Sequence, residues 1–212
     1  HFSLKDNQSI DNFNYDLYDK DKLDTINICI NYSIFIILMP IISLWFCMEM
    51  IDLISSLGKE IGFIPSDVFI EPGRSIVGNA CVTLYTCGDF KHTYGDKNYQ
   101  FIDGGMTDNI RPALYEAEYS CDIANKMHDE KTIICDVAGK CCESGDIIIS
   151  NAMIQKPNPG DILMVYATGA YNYSMASNYN RIPRLPCVFV KDGVARTVVK
   201  RETYEMVAAC DI

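Results

Sequence analysis

"VFIEPGRSIVGNACVTLYTCGDFK", Val68 to Lys91, joins two kinds of sequence. In its first half a short apolar run ends in an acid, a rigid ring, a bare backbone and a guanidinium. Pro72 fixes its own φ and biases Glu71 toward an extended conformation. Gly73 lets the backbone pass close to a bulky group. Arg74 offers a planar fork of donors suited to carboxylate or phosphate. "RSIVGNA" reads as a short helix whose first N–H groups are free to face an anion. The stretch is therefore either an anion cradle at the end of a strand or a Pro-Gly turn with a surface ion pair. In its second half, from Cys81, β-branched and aromatic residues dominate and the pattern becomes that of a strand.

Upstream of Val68, "MEMIDLISSLGKEIG" sets Met50, Ile51, Ile54, Leu57 and Ile61 on one helical face, and Gly62 stops it. Helix, then the short buried strand "DVFIE", then a loop of functional character is the repeating unit of a (β/α) barrel. Downstream, "CVTLYTCGDFK", "NYQFIDG", "KTIICDVAG", "GDIIIS", "GDILMVY", "CVFVKDG" and "ARTVVKRE" read as strands between Gly-, Asp- or Asn-rich turns. Only "TGAYNYSMA" and "ETYEMVAA" read as short helices there. The expected fold class is α+β: the last elements of a (β/α) barrel, followed by a β-rich barrel or sandwich domain. The expected boundaries are 1–47 for an irregular or helical N-terminal segment, 48–80 for the barrel remnant and 81–212 for the β-domain.

Composition narrows the function classes. The formal net charge of -10 argues against non-specific nucleic-acid binding, which needs a basic patch. The three histidines, His1, His92 and His128, have no metal-ligand spacing, and none of the ten cysteines forms a C-x-x-C pair. No metal is expected, and the cysteines read as reduced thiols of a cytoplasmic protein. Residues 1–25 are rich in Asp, Asn, Lys and Tyr and read as loop or disorder. Thr25 to Met48 carries no charge and has the length of a membrane span, but Asn27, Asn31, Ser33 and Pro40 interrupt it, so no membrane anchor is expected. With no initiator methionine, His1 reads as the start of a fragment, a processed chain or an incomplete frame.

Three further stretches carry chemistry. "DGGMTDNIRPALYEAEY", Asp103 to Tyr119, presents Arg111 and Tyr115 four residues apart, able to share one anionic ligand or to sit in a surface loop with an ordinary ion pair. "GKCCESGD", Gly139 to Asp146, sets two thiols and Glu143 between glycines: a proton donor beside an amine-binding acid, or a β-turn with one buried cysteine. "TGAYNYSMASNYNRIPR", Thr168 to Arg184, offers Tyr171, Tyr173 and Tyr179 either to a phosphate or ring or to plain packing.

The order and wording of "EPGRSIVGNA", "DGGMTDNIRPALY", "CCESGD" and "GAYNYSMASNYNRIPR" resemble the diaminopimelate decarboxylases, which belong to the alanine-racemase-like decarboxylases that use pyridoxal 5'-phosphate. The resemblance runs from about Glu49 to Ile212. It implies an eight-stranded (β/α) barrel that binds the cofactor, followed by a β-rich domain, and decarboxylation of meso-2,6-diaminopimelate to L-lysine and CO2. It implies that Glu71, Pro72, Gly73, Arg74 and Tyr171 line the cofactor site. Arg74, Arg111, Tyr115, Glu143 and Tyr171 would contact substrate: Arg111 and Tyr115 its carboxylate, Glu143 its distal ammonium. Cys142 would be the acid that returns a proton to the decarboxylated carbon. It further implies a homodimer in which the cysteine motif serves the neighbouring subunit's site.

Two departures accompany the resemblance. The family's cofactor-bearing lysine, in a "YAxKAN"-like stretch early in the barrel, has no counterpart here, nor have the histidine that stacks on the cofactor and the glycine-rich phosphate loop. Residues 1 to about 47 do not resemble the barrel sequence expected at that point. The chain thus reads as a C-terminal piece, expected to be inactive alone. A decarboxylase of ornithine, arginine or a carboxylated polyamine precursor is the neighbouring alternative. A non-catalytic β-domain protein is the alternative from another class.

Overall fold

Period-two burial along β1, Thr83–His92, points Tyr85 and Cys87 into a core and turns their neighbours outward. In this computed structural model, residues 48–49, 51–60, 73–95 and 97–212 are described; the readings on residues 1–47, on the 67–71 strand, and on Glu71 and Pro72 lie outside them. Upstream of β1, residues 51–60 form the expected helix α1. Its stripe is bare, with Ile51 and Leu57 exposed and Ile54 half-buried, so the described residues do not cover it. α2, Arg74–Val77, passes into a 3₁₀ turn, Gly78–Ala80, as "RSIVGNA" suggests.

The remaining strands of the main sheet are β2 Asn98–Ile102, β3 Cys121–Ile123, β4 Lys131–Ala138, β5 Ile147–Gln155 and β6 Ile162–Val165. Their order is β3-β6-β1-β2-β4-β5. Neighbours are antiparallel except β2 and β4, which run parallel, with Gln100 opposite Val137. The two outermost strands meet. The Ile123 amide donates to Gln155 Oε1 at 2.9 Å, and Gln155 Nε2 donates to Asp122 Oδ1 at 2.8 Å. The sheet therefore curls into a nearly closed barrel, filled by Tyr85, Ile123, Val137, Ile148, Ile154 and Leu163, each at most 1% exposed.

Two devices bend the sheet. Between Cys87 and Phe90 the β1–β2 register shifts, and the buried Gln100 side chain donates to the Gly88 and Phe101 carbonyls there. In β5, Asn151 sits at φ 52 and its amide donates to Asp136 Oδ1 at 2.9 Å, as the β4–β5 register slips nearby. Beyond the barrel, β7 Cys187–Lys191 and β8 Val194–Val199 form a hairpin. Its Asp192-Gly193 turn has φ 51 and 77, the twist a two-residue hairpin loop requires. Arg184 grips Glu202 through Nε at 2.7 Å across the base of this hairpin.

Direction places the motifs. β2, β4 and β6 all run the same way, and the Asp103, Gly139 and Tyr166 segments leave their C-terminal ends. β1 runs the opposite way, so α2 enters it from that same end. All four singled-out stretches therefore converge on one rim of the barrel.

Candidate active site

Two segments of the rim lock together without side chains. Gly169 N–H donates to the Gly78 carbonyl at 3.0 Å, and a Cβ on Gly169 would stand 1.9 Å from the Val77 carbonyl oxygen. Only glycine allows this approach. It ties α2, opened by Gly73 at φ 48, to the turn that carries Tyr171. The Arg74 guanidinium lies over the Tyr119 ring, 5.9 Å from its centroid, and the Tyr119 hydroxyl donates to Asn172 Oδ1 at 3.4 Å.

Arg111 opens α3, Arg111–Tyr115. Pro112 suits a first turn, which has no need of its N–H, and Glu116 ends the helix in the left-handed region at φ 53. One helical turn brings Tyr115 under Arg111, whose guanidinium lies 5.2 Å from that ring. From the segment that follows β6 on the same rim, Tyr171 at φ 70 presents a second ring, 5.1 Å away. Arg111 is thus held between two tyrosines whose own side chains are exposed. Arg111 Nε and Asn172 Nδ2 are buried donors with no protein acceptor among the described residues.

Two buried carboxylates hold the loops in place. Asp146 accepts the Met106 amide at 2.6 Å and the Cys141 amide at 2.7 Å. Gly105 and Gly139 flank it so closely that a Cβ on either would stand within 2.4 Å of Asp146 Oδ2. Asp108 accepts the Gly105 amide at 3.1 Å. Burial pushes its carboxyl up to about 6, opposed by that amide and Lys140. Of the adjacent thiols, Cys141 is buried, and burial, then Asp146, raises it above its ordinary value. Cys142 is exposed, and its amide donates to Asn180 Oδ1 at 2.9 Å. Glu143, also exposed, accepts from Ser144 Oγ at 3.4 Å.

The family model for the C-terminal sheet domain of pyridoxal-dependent decarboxylases matches residues 12–169. The chain belongs to this family. The matched region begins upstream of Glu49, where the motif resemblance starts. Among curated decarboxylases, the diaminopimelate decarboxylase of Bacillus subtilis is 48% identical over 164 residues, 77% of this chain and 37% of that protein. That of Halalkalibacterium halodurans is 52% identical over 146 residues, 69% of this chain and 33% of that protein. A crystal structure of diaminopimelate decarboxylase from M. jannaschii in co-complex with L-lysine superposes with a TM-score of 0.62 at 34% identity. It covers 66% of this chain and 32% of that one. The chain spans about a third of the length of the curated relatives it matches.

In this decarboxylase domain the sequence-derived candidates fall into two groups on the rim. Arg111 contacts both Tyr115 and Tyr171, and Arg74 and Gly73 are linked to them through Tyr119, Asn172 and Gly169. Cys142 and Glu143 sit on the turn after β4, held by Asn180 and Asp146. Sequence reasoning passed over Tyr119, Asn172, Asp146 and Asn180. Asp146 alone carried a local signal, an acid closing the "SGD" turn directly after Gly145; the others act across tens of residues.

Proposed function

We propose that the chain is the C-terminal part of a diaminopimelate decarboxylase, with a cofactor-binding barrel remnant at 48–80 and a β-domain at 81–212, working as a cytoplasmic homodimer. The observation that carries this reading is Arg111 held between Tyr115 and Tyr171, with Nε buried and without an acceptor among the described residues. A guanidinium fixed by two rings keeps its planar fork for a bidentate carboxylate. The residues present also fit pyridoxal 5'-phosphate at its anionic end: Gly73 at φ 48, Arg74, and the buried Asn172 amide leave donors for a phosphate. Glu71 and Pro72 would line the same cradle.

When bound, pyridoxal phosphate supplies an electron sink for the pair left behind as CO2 departs. The chain's own residues then have three tasks. Arg111 and Tyr115 orient a substrate carboxylate, while Arg74 and Tyr171 contact both substrate and cofactor. Glu143 binds the distal ammonium, which fixes the length of the substrate and favours an amino acid with charged groups at both ends. The Cys142 thiol gives its proton to the carbon that lost CO2 and is left as thiolate, to be reprotonated from solvent. With Cys142 and Glu143 on a turn apart from the arginine–tyrosine group, the reading has them serve the partner subunit's site.

The test is a chimera joining the barrel half of the B. subtilis relative to residues 49–212. Release of CO2 from labelled meso-diaminopimelate, with ornithine and arginine poor substrates, is the expected result. Preferred turnover of ornithine or arginine overturns the substrate assignment; a folded, cofactor-loaded chimera inert toward all three overturns the function.

A further inference from the structure

We propose that Asn180 is a positioning residue for the Cys142 thiol. The inference rests on the reading of Cys142 as the proton donor. Cys142 is exposed, and an exposed thiol on a turn ordinarily samples several directions. Here the two successive amides of the turn are each tied down by a side chain from elsewhere. Cys141 N–H donates to Asp146 Oδ2 at 2.7 Å and Cys142 N–H donates to Asn180 Oδ1 at 2.9 Å. The second bond spans 38 residues and joins the rim to the turn that follows α4 (Asn172–Met175).

That turn is built to deliver the carboxamide. Asn180 and Arg181 both lie in the left-handed region, at φ 53 and 61. Two such residues in succession, neither of them glycine, are unfavourable and persist only where surroundings enforce them. The surroundings are visible on both sides. Asn178 Nδ2 donates to Glu202 Oε2 at 2.6 Å, and Glu202 also takes the Arg184 amide at 2.9 Å. Arg181 pairs with Asp211 near the C-terminus. The strained turn is thus anchored to the chain beyond the β7–β8 hairpin, and from it the Asn180 Oδ1 accepts the Cys142 amide. A proton donor must meet one face of one carbon, so a loosened backbone at Cys142 lowers the fraction of productive approaches without altering how substrate is held.

Three substitutions separate bond from turn. Asn180→Gly keeps the left-handed conformation and removes the acceptor. Asn180→Asp keeps both. Asn180→Ala keeps neither. In the 212-residue chain without cofactor, hydrogen exchange of the Cys142 amide should speed up about tenfold in Asn180→Gly and stay near the parent rate in Asn180→Asp. In the intact decarboxylase, Asn180→Gly should lower kcat about three- to tenfold with KM unchanged, and Asn180→Asp should restore most of it. An unchanged exchange rate in Asn180→Gly overturns the contact. Faster exchange with parental kcat overturns the positioning role. Parental kcat in Cys142→Ala, measured alongside, overturns instead the reading of Cys142 as the acid, and leaves the exchange result standing.

Discussion

The Gln155 side chain takes the place of a strand backbone against Ile123. Its Oε1 accepts the Ile123 amide at 2.9 Å, where a neighbouring carbonyl would sit in a longer ladder, and its Nε2 reaches Asp122 at 2.8 Å. β3 has only three residues, so this one carboxamide does much of the closing between the outermost strands.

Removing it should be costly out of proportion to its size. Gln155→Ala leaves the Ile123 amide, on a residue with no exposed surface, without an acceptor. An orphaned buried donor costs about 1–3 kcal/mol. Gln155→Met, which restores volume and no acceptor, should be nearly as unstable. Denaturant unfolding of both variants checks this; parental stability in either would show that water replaces the bond.

Gly169→Ala tests the close approach on the rim. The added Cβ meets backbone on the Val77 side, not a side chain that can swing away. Overpacking of this kind costs about 1–3 kcal/mol or more. The outcome expected in the intact protein is lower stability together with weaker pyridoxal phosphate binding, read by fluorescence titration, because α2 must shift. Parental affinity would detach α2 from cofactor binding.

Some of this was open to inspection of residues alone and some was not. Seven strands announced themselves because they are runs of β-branched, aliphatic and aromatic residues whose ends carry Gly, Asp or Asn. β3 did not: Cys121–Ile123 is too short to show a period, and it exists because β6 supplies its partner. α3 read as loop, since Arg111 and Pro112 look unlike a helix interior; Pro112 in fact sits in the first turn, where its missing N–H is harmless. The parallel β2–β4 pairing has no local signature, yet it is what carries the Gly139–Asp146 turn to the same rim as Asp103–Tyr115. Asn180 stands in a run of Asn and Tyr with nothing in its spacing to mark its bond to Cys142. The shared face of Ile51, Ile54 and Leu57 on α1 was legible, but what covers it was not: periodicity reports a face and not the surface that packs on it.

Acidity should act through Asp108. Burial raises its carboxyl from 3.8 to about 6, so between those values the folded chain holds a proton that the unfolded chain has released. The group therefore favours folding below about pH 4 and that advantage is lost as pH rises through 6, a span worth about 3 kcal/mol at order-of-magnitude precision. Asp108→Asn keeps an oxygen for the Gly105 amide and cannot ionise. The parent should gain stability relative to Asp108→Asn as pH falls from 6 to 4. Parallel pH–stability curves would show that Asp108 ionises normally.

Arg111→Ala should remove a charge-assisted hydrogen bond worth about 1.5–3 kcal/mol, roughly a ten- to hundredfold loss in kcat/KM. Arg111→Lys should not rescue it, because an ammonium neither stacks between Tyr115 and Tyr171 nor binds a carboxylate bidentately. Cofactor affinity should survive both changes. Loss of cofactor with unchanged substrate affinity would move Arg111 to the phosphate.

Cys142 and Arg111 together test the assembly. Cys142→Ala in the intact enzyme should lose a positioned proton donor, about 10²–10⁴-fold in rate, and Glu143→Gln should mainly raise KM, since it removes the charge opposite the distal ammonium. If the thiol serves the partner's site, each impaired homodimer lacks something its counterpart has. A heterodimer of Arg111→Ala with Cys142→Ala then contains one site with both groups and one with neither. Equal mixing with free subunit exchange makes half the dimers mixed, and half of their sites intact, so about a quarter of parental activity should return for a two-fold symmetric dimer. Exchange is verified first with differently tagged subunits. No recovery despite proven exchange would mean that thiol and guanidinium serve the same subunit's site, and full activity in Cys142→Ala alone would remove the thiol from the chemistry.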